Sequence, residues 1–211
     1  MRMRALAGWL TMMAVLLLAA CARHVETQVT RFHEGQLPAG RTVAILPADP
    51  AREGPEFRTY ANMIADEFVK LGYKLAAPGE DPDLDVLVDY GVDEGRVKIE
   101  TRPGYAYPYY SFYLGYFHPY HYGFFYPYAF DPFFYGPDIE SQTVYTRRLA
   151  LKIRDHKTGR VIFEGRAVSE GPTRELNLVM PYLVEAMFRD FPGENGVTRL
   201  VEIKTKEGRV Y

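Results

Sequence analysis

Pro82-Asp83-Leu84-Asp85-Val86-Leu87-Val88-Asp89-Tyr90-Gly91-Val92-Asp93 alternates apolar and acidic side chains over a full strand length. In an extended chain successive side chains point to opposite sides, so Leu84, Val86, Val88, Tyr90 and Val92 share one face and Asp83, Asp85, Asp89 and Asp93 the other. A sheet with one buried and one wetted face follows, and the carboxylates read as solvated. Leu149, Leu151 and Ile153 repeat the pattern against Arg148, Lys152 and Arg154. Asp155-His156-Lys157-Thr158-Gly159 then turns the chain into Val161 to Val168, which predicts a hairpin. Upstream, Val43-Ala44-Ile45-Leu46 closes at Pro47 as a short buried strand. Phe57, Tyr60, Ala61, Ile64, Phe68 and Leu71 recur at helical spacing opposite Arg58, Asp66, Glu67 and Lys70, with Pro55 in the first turn and Gly72 at the end. A second helix is expected to begin at or before Pro181, with Pro181 in its first turn, and to stop at Pro192-Gly193; Leu200 to Ile203 reads as an edge strand. Each apolar face needs a cover, so the expected fold is α+β: a two-layer, mostly antiparallel sheet covered by two helices.

The chain around these elements has 211 residues, 47% hydrophobic and 25% charged, enough for one domain with a core. A net charge of -2 provides no field for nucleic acid, and a lone Cys excludes an internal disulfide framework.

The chain opens with Met1 to Arg4, a basic start, followed by an apolar run from Ala5 to Leu18. That is the layout of an export signal, and the run is shorter than the roughly 18 residues a membrane span calls for. Leu18-Ala19-Ala20-Cys21 resembles the lipobox of bacterial lipoproteins, in which the Cys becomes the first mature residue and carries lipid. The resemblance implies a signal peptide over 1–20, a mature periplasmic domain over 21–211 and a membrane anchor through Cys21. Each buried CH₂ of an acyl chain contributes about 0.8 kcal/mol, so several chains together hold a protein permanently. Ala22 stands where retention in the inner membrane commonly uses Asp, which favours the periplasmic face of the outer membrane.

Residues 104–136 form a Tyr/Phe/Pro/Gly-rich insert between two strands, with 18 of the chain's 31 aromatic residues and Asp131 as the only Asp, Glu, Lys or Arg. Pro108, Pro119, Pro127 and Pro132 break any long helix or central strand. Lengthening a four-residue connection to this size costs roughly 2 kcal/mol of closure entropy, which a sizeable core tolerates. Two readings stand side by side: a low-complexity loop whose rings pack on each other or on the sheet, and a binding surface. For the second, the candidate residues are Tyr105, Tyr107, Tyr109, Tyr110, Tyr113, Tyr116, Tyr120, Tyr122, Tyr126 and Tyr128. A tyrosine pairs a flat apolar face with a hydroxyl, which suits a glycan ring, an extended peptide or a bilayer interface. A nucleic-acid platform would need interleaved Lys or Arg, and the insert has none.

Chemistry-bearing patterns are sparse. His118-Pro119-Tyr120-His121 is at most half a metal site, and Asp81-Pro82-Asp83-Leu84-Asp85 lacks the Gly and bidentate Glu of a calcium loop. Ser111, Ser141 and Ser169 lie in no nucleophile elbow, and no phosphate-binding glycine loop occurs. No cofactor, metal ligand set or catalytic residue is therefore assigned, although Asp89, Glu164 and His156 are titratable groups that a fold could bring together.

The order of these pieces resembles the bacterial lipoproteins of domain of unknown function 4136. The matching segments are the strand near Val25 to Phe32, the helix ending Lys70-Leu71-Gly72-Tyr73, Pro82 to Tyr90, and Asp155 to Gly165 leading to Asp190-Phe191-Pro192. That resemblance implies a fold and no agreed activity. The expected role is a lipid-anchored, non-catalytic envelope module whose partner is an envelope protein, a glycan or peptidoglycan; the alternative is an envelope hydrolase acting on a cell-wall or glycan substrate. Cys21→Ala should release the protein into the soluble periplasmic fraction, and retention of the variant in salt-washed membranes would show that another anchor dominates.

Overall fold

The structure is a computed structural model that describes residues 24–35, 37, 39–102 and 138–205. The signal segment, Cys21, all ten candidate tyrosines, Ser111, His118 and His121 lie outside the described residues.

The elements in chain order are β1 (His24–His33), β2 (Thr42–Pro47), a 3-10 turn (Pro50–Arg52), α1 (Pro55–Lys70), β3 (Lys74–Leu75), β4 (Leu84–Val92), β5 (Arg96–Arg102), β6 (Asp138–Asp155), β7 (Val161–Gly171), α2 (Leu176–Phe188) and β8 (Thr198–Lys204). They divide into two compact units, Met1–Gly95 with Val144–Tyr211, and Arg96–Thr143. In the smaller unit β5 carries Val97 and Ile99, both about two-thirds exposed, while Lys98 and Glu100 pair at 3.0 Å.

The eight-stranded sheet is mixed, in the order β3-β2-β4-β6-β7-β1-β8, with β5 pairing β6 off this path. From β4 through β6, β7 and β1 to β8 each adjacent pair is antiparallel, whereas β2 lies parallel to both β3 and β4. The parallel pairing arises because α1 carries the chain back across the sheet between β2 and β4, as a parallel connection requires.

β4 has the bounds its alternation predicts, and Leu84, Val86, Val88 and Tyr90 are all buried. Ile153, Leu151 and Leu149 on β6 stand opposite Val86, Val88 and Tyr90, so the two apolar faces form one surface. α1 lays Phe57, Tyr60, Ile64 and Phe68 on it, and Tyr60 meets Tyr90 edge-on at 4.9 Å. Its helix ends where expected, with Gly72 at φ 87, a left-handed conformation costly for residues carrying a Cβ. Ile64, Phe68, Val86, Val88, Leu149, Leu151 and Leu183 belong to one core cluster, as their periodic faces require.

α2 departs from expectation. It begins five residues before Pro181, which therefore lies inside the helix and leaves one turn without its usual donor. Burial of Leu176, Val179, Met180, Leu183, Val184 and Met187 outweighs that loss, each large apolar side chain being worth roughly 1.5–3 kcal/mol. The helix lies so close to β7 that a Cβ on Gly165 would stand 2.7 Å from Met187 Sδ and 2.9 Å from Phe163 Cε1. Phe188 in turn meets Phe68 edge-on at 5.1 Å, joining the two helices.

Both helices pack on the face that holds these apolar residues, and no described helix covers the other. Leu151, 1% exposed, sits in the middle of the covered face. Leu151→Asp should destabilise the fold by more than about 3 kcal/mol in chemical denaturation, since it buries a carboxylate without a partner; an unchanged midpoint would refute the face assignment.

Candidate functional site

The uncovered face takes its character from the residues that alternate with the core. β4 contributes Asp85, Leu87 and Asp89; β6 contributes Arg148, Ala150, Lys152 and Arg154; β7 contributes Glu164 and Arg166. Strand register places Asp89 opposite Ala150, Leu87 opposite Lys152 and Asp85 opposite Arg154, then Ala150 opposite Arg166 and Lys152 opposite Glu164. Acid and base consequently meet across strands. Lys152 Nζ lies 3.0 Å from Glu164 Oε1, and Asp89 is held by Arg52 at 3.1 Å and by Arg148 at 3.5 Å. Arg52 also donates to the Tyr90 carbonyl at 2.6 Å and stacks over the Tyr90 ring at 4.2 Å, which pins the 3-10 turn to β4.

The expectation of solvated carboxylates along β4 fails at Asp85. This residue is 2% exposed, accepts from Arg154 Nε at 2.9 Å and lies 2.8 Å from His156 Nδ1. A buried carboxylate persists only with such partners, and both come from the β6 strand and turn that Asp85 faces. Asp83 is likewise engaged: it accepts from the backbone and hydroxyl of Thr42, bonds that hold its carboxyl below the ordinary Asp range. Asp93 accepts from the Gly95 and Thr146 backbones, and Asp155 is lowered chiefly by the Thr158 backbone and hydroxyl. The acidic stripe is therefore largely a set of clamps between strands and turns.

Of the three titratable groups singled out in the sequence, the fold brings two together. Asp89 and Glu164 both line a depression of about 390 Å³ on the open face, with Leu87, Ala150, Lys152 and Arg166. His156 stands apart with Asp85. Ser169 is buried and accepts from Arg147 Nη2 at 2.9 Å, a structural use of its hydroxyl. Among the described residues no group of three or more His, Cys, Asp or Glu is arranged to hold a metal ion.

Two buried arginines were not legible in the sequence. Arg31 on β1 is 5% exposed and donates to the Ala186, Met187 and Arg189 carbonyls at the end of α2, at 2.8–3.1 Å. Burial lowers its pKa from the usual guanidinium value, while nearby Asp190 opposes the shift. Arg147, 2% exposed, donates to Ser169 Oγ and to the Thr173 carbonyl, and borders a smaller depression of about 140 Å³ with His24, Glu26 and Glu170. The two-residue period puts Arg147 on the Leu149 face and Arg148 on the other; only the fold shows that Ser169 and the Thr173 carbonyl satisfy a guanidinium buried there.

A family model described as Domain of unknown function (DUF4136) matches residues 28–193. No curated protein sequence matches this chain. Among solved structures, a PDZ domain protein from Parabacteroides distasonis ATCC 8503 is similar at 13% identity and TM-score 0.45, over 87% of this chain and 40% of that one. A PelC dodecamer from Paraburkholderia phytofirmans is similar at 12% identity and TM-score 0.37, over 75% and 91%. A DUF4136 family protein from Bacteroides thetaiotaomicron VPI-5482 is similar at 16% identity and TM-score 0.37, over 78% and 95%. This chain thus spans well under half of the PDZ domain protein, and likenesses this distant bring no activity with them.

Asp85→Ala should lower stability by about 1–3 kcal/mol in denaturant titration, with Asp85→Asn losing less because it keeps an acceptor for Arg154. Equal stability of all three proteins would show that the buried cluster is energetically neutral.

Proposed function

Because this chain belongs to the DUF4136 family, whose description names no activity, we propose its role from its own surface: a non-catalytic module, held in the cell envelope by lipid on Cys21, that binds an envelope component. The observation that carries this reading is the sheet's uncovered face, where fixed ion pairs surround a shallow, partly apolar depression. A rigid sheet holds such groups in place without ordering cost at the moment of binding. The aromatic insert adds the second surface, since tyrosines present large apolar contact with few rotatable bonds. In this reading the domain stands on the periplasmic face of the outer membrane and meets an envelope protein, a glycan or peptidoglycan.

One observation favours the alternative of an envelope hydrolase: Asp89 and Glu164, two carboxylates, share the depression. Their engagement weighs against it. Each is paired with Arg or Lys of the sheet surface, which gives both carboxylates a structural use that needs no catalytic one.

The test is retention of envelope proteins, glycans and peptidoglycan on the full chain and on a variant with residues 104–136 replaced by a short Gly/Ser turn. The variant should fold, because the strands and helices have complementary apolar faces without that segment, and it should lose the partner. Retention that survives moderate salt supports apolar contact. Turnover of a cell-wall substrate would establish the hydrolase instead, and undiminished retention by the shortened variant would remove the insert from the binding surface.

A further inference from the structure

The charge pattern of the open face has one gap. In the row through Leu87, Lys152 and Glu164, base meets acid, and Asp85 meets Arg154 in the same manner. In the next row beyond Leu87, Asp89 faces the methyl group of Ala150, and Ala150 separates it from Arg166. On its other side Arg166 faces Thr30 of β1. Arg166 is exposed and makes no ion pair or side-chain hydrogen bond among the described residues. The nearest residues of β6 on the same face as Ala150 are Arg148 and Lys152, both cationic. Three bases therefore surround one small side chain; of the two acids at the rim, Asp89 pairs with Arg52 and Arg148, and Glu164, two residues from Arg166 on β7, pairs with Lys152.

We propose that the notch over Ala150 recognises the terminal carboxylate of a peptide with small apolar side chains, with Arg166 as its principal donor. This rests on the reading of the open face as a binding surface and names the ligand chemistry for it. A guanidinium presents two parallel N–H groups that match a planar carboxylate, and Lys152 and Arg148 supply further positive potential at the notch. Asp89 and Glu164 at the rim disfavour a dianion such as phosphate, which sets the choice of ligand charge. Ala48, Leu87 and Ala150 line the same depression and give methyl-sized side chains an apolar surface. Its volume of about 390 Å³ accommodates the end of a short peptide.

The probe is N-acetyl-Ala-Ala-Ala with a free carboxylate, titrated into the full ¹⁵N-labelled chain, beside the same peptide as its C-terminal amide and inorganic phosphate. The free acid should shift the amide resonances of Ala150, Gly165 and Arg166 saturably, and the amide should not. Arg166→Ala should weaken binding about tenfold or more, Arg166→Lys should restore part of it, and Arg58→Ala on the exposed side of α1 should change nothing. Circular dichroism should show both Arg166 variants folded. The proposal is overturned if acid and amide bind alike, if phosphate binds better than the acid, or if Arg166→Ala binds as the native chain does. It is equally overturned if Arg166→Ala unfolds, or if no saturable shift occurs up to about 10 mM. Envelope material retained equally by native chain and Arg166→Ala, with no response to the peptide, would reject this site and leave the broader binding role standing.

Discussion

Arg31 holds the fold together at the point where a helix must end inside the protein. The last carbonyls of α2 have no partner within the helix, and at a buried terminus water cannot satisfy them. The Arg31 guanidinium reaches from β1 to the Ala186, Met187 and Arg189 carbonyls, placing a positive charge at the negative end of the helix dipole. Such a charge contributes up to about 2 kcal/mol in partly buried sites. The chain beyond is shaped by the same group. A Cβ on Gly193 would stand 2.5 Å from Arg31 Nη1, and Gly193 itself has φ 79, so both space and backbone demand glycine there.

With its end secured to β1, α2 lies flat on β7 and leaves room for no side chain at Gly165. α1 fills the remaining width through Phe68 against Phe188 and Tyr60 against Tyr90. Two helices of this size cover one face of the sheet, and the chain has no further described helix for the other. The open face is stabilised differently. Its acids and bases come from neighbouring strands, and register converts them into cross-strand pairs. Exposed pairs of this kind are each worth about 0–1 kcal/mol, so their main effect is to fix alignment and leave a patterned surface. That surface, with its break at Ala150, is what a partner meets.

Much of this architecture is legible in the chain itself. The alternation of Leu84 to Val92 and of Leu149 to Ile153 is a two-residue period, and Phe57 to Leu71 follows the helical one; each period names its buried side before any partner is known. The expectation about Pro181 failed because a local rule met a larger tertiary gain, the burial of nearly every side of α2. The expectation about Asp85 failed for a different reason. On a strand, period alone assigns Asp85 to the polar face, but only the neighbouring strand decides whether that face meets water or Arg154 and His156.

The candidate site divides along the same line. Sequence alone determined which residues can carry chemistry, including Asp89, Glu164 and His156, the segments that form strands and helices, and the membership of the family. These depend on side-chain identity and short-range spacing. Tertiary structure alone decided that Asp89 and Glu164 share a depression while His156 does not, that Arg31 and Arg147 are buried, and that Arg166 makes no ion pair among the described residues while Glu164, two residues from it, pairs with Lys152. Such facts depend on pairing between segments far apart in the chain, such as β1 with β7, where Thr27 stands opposite Ser169, and a one-residue change of register would place every one of these side chains on the opposite face.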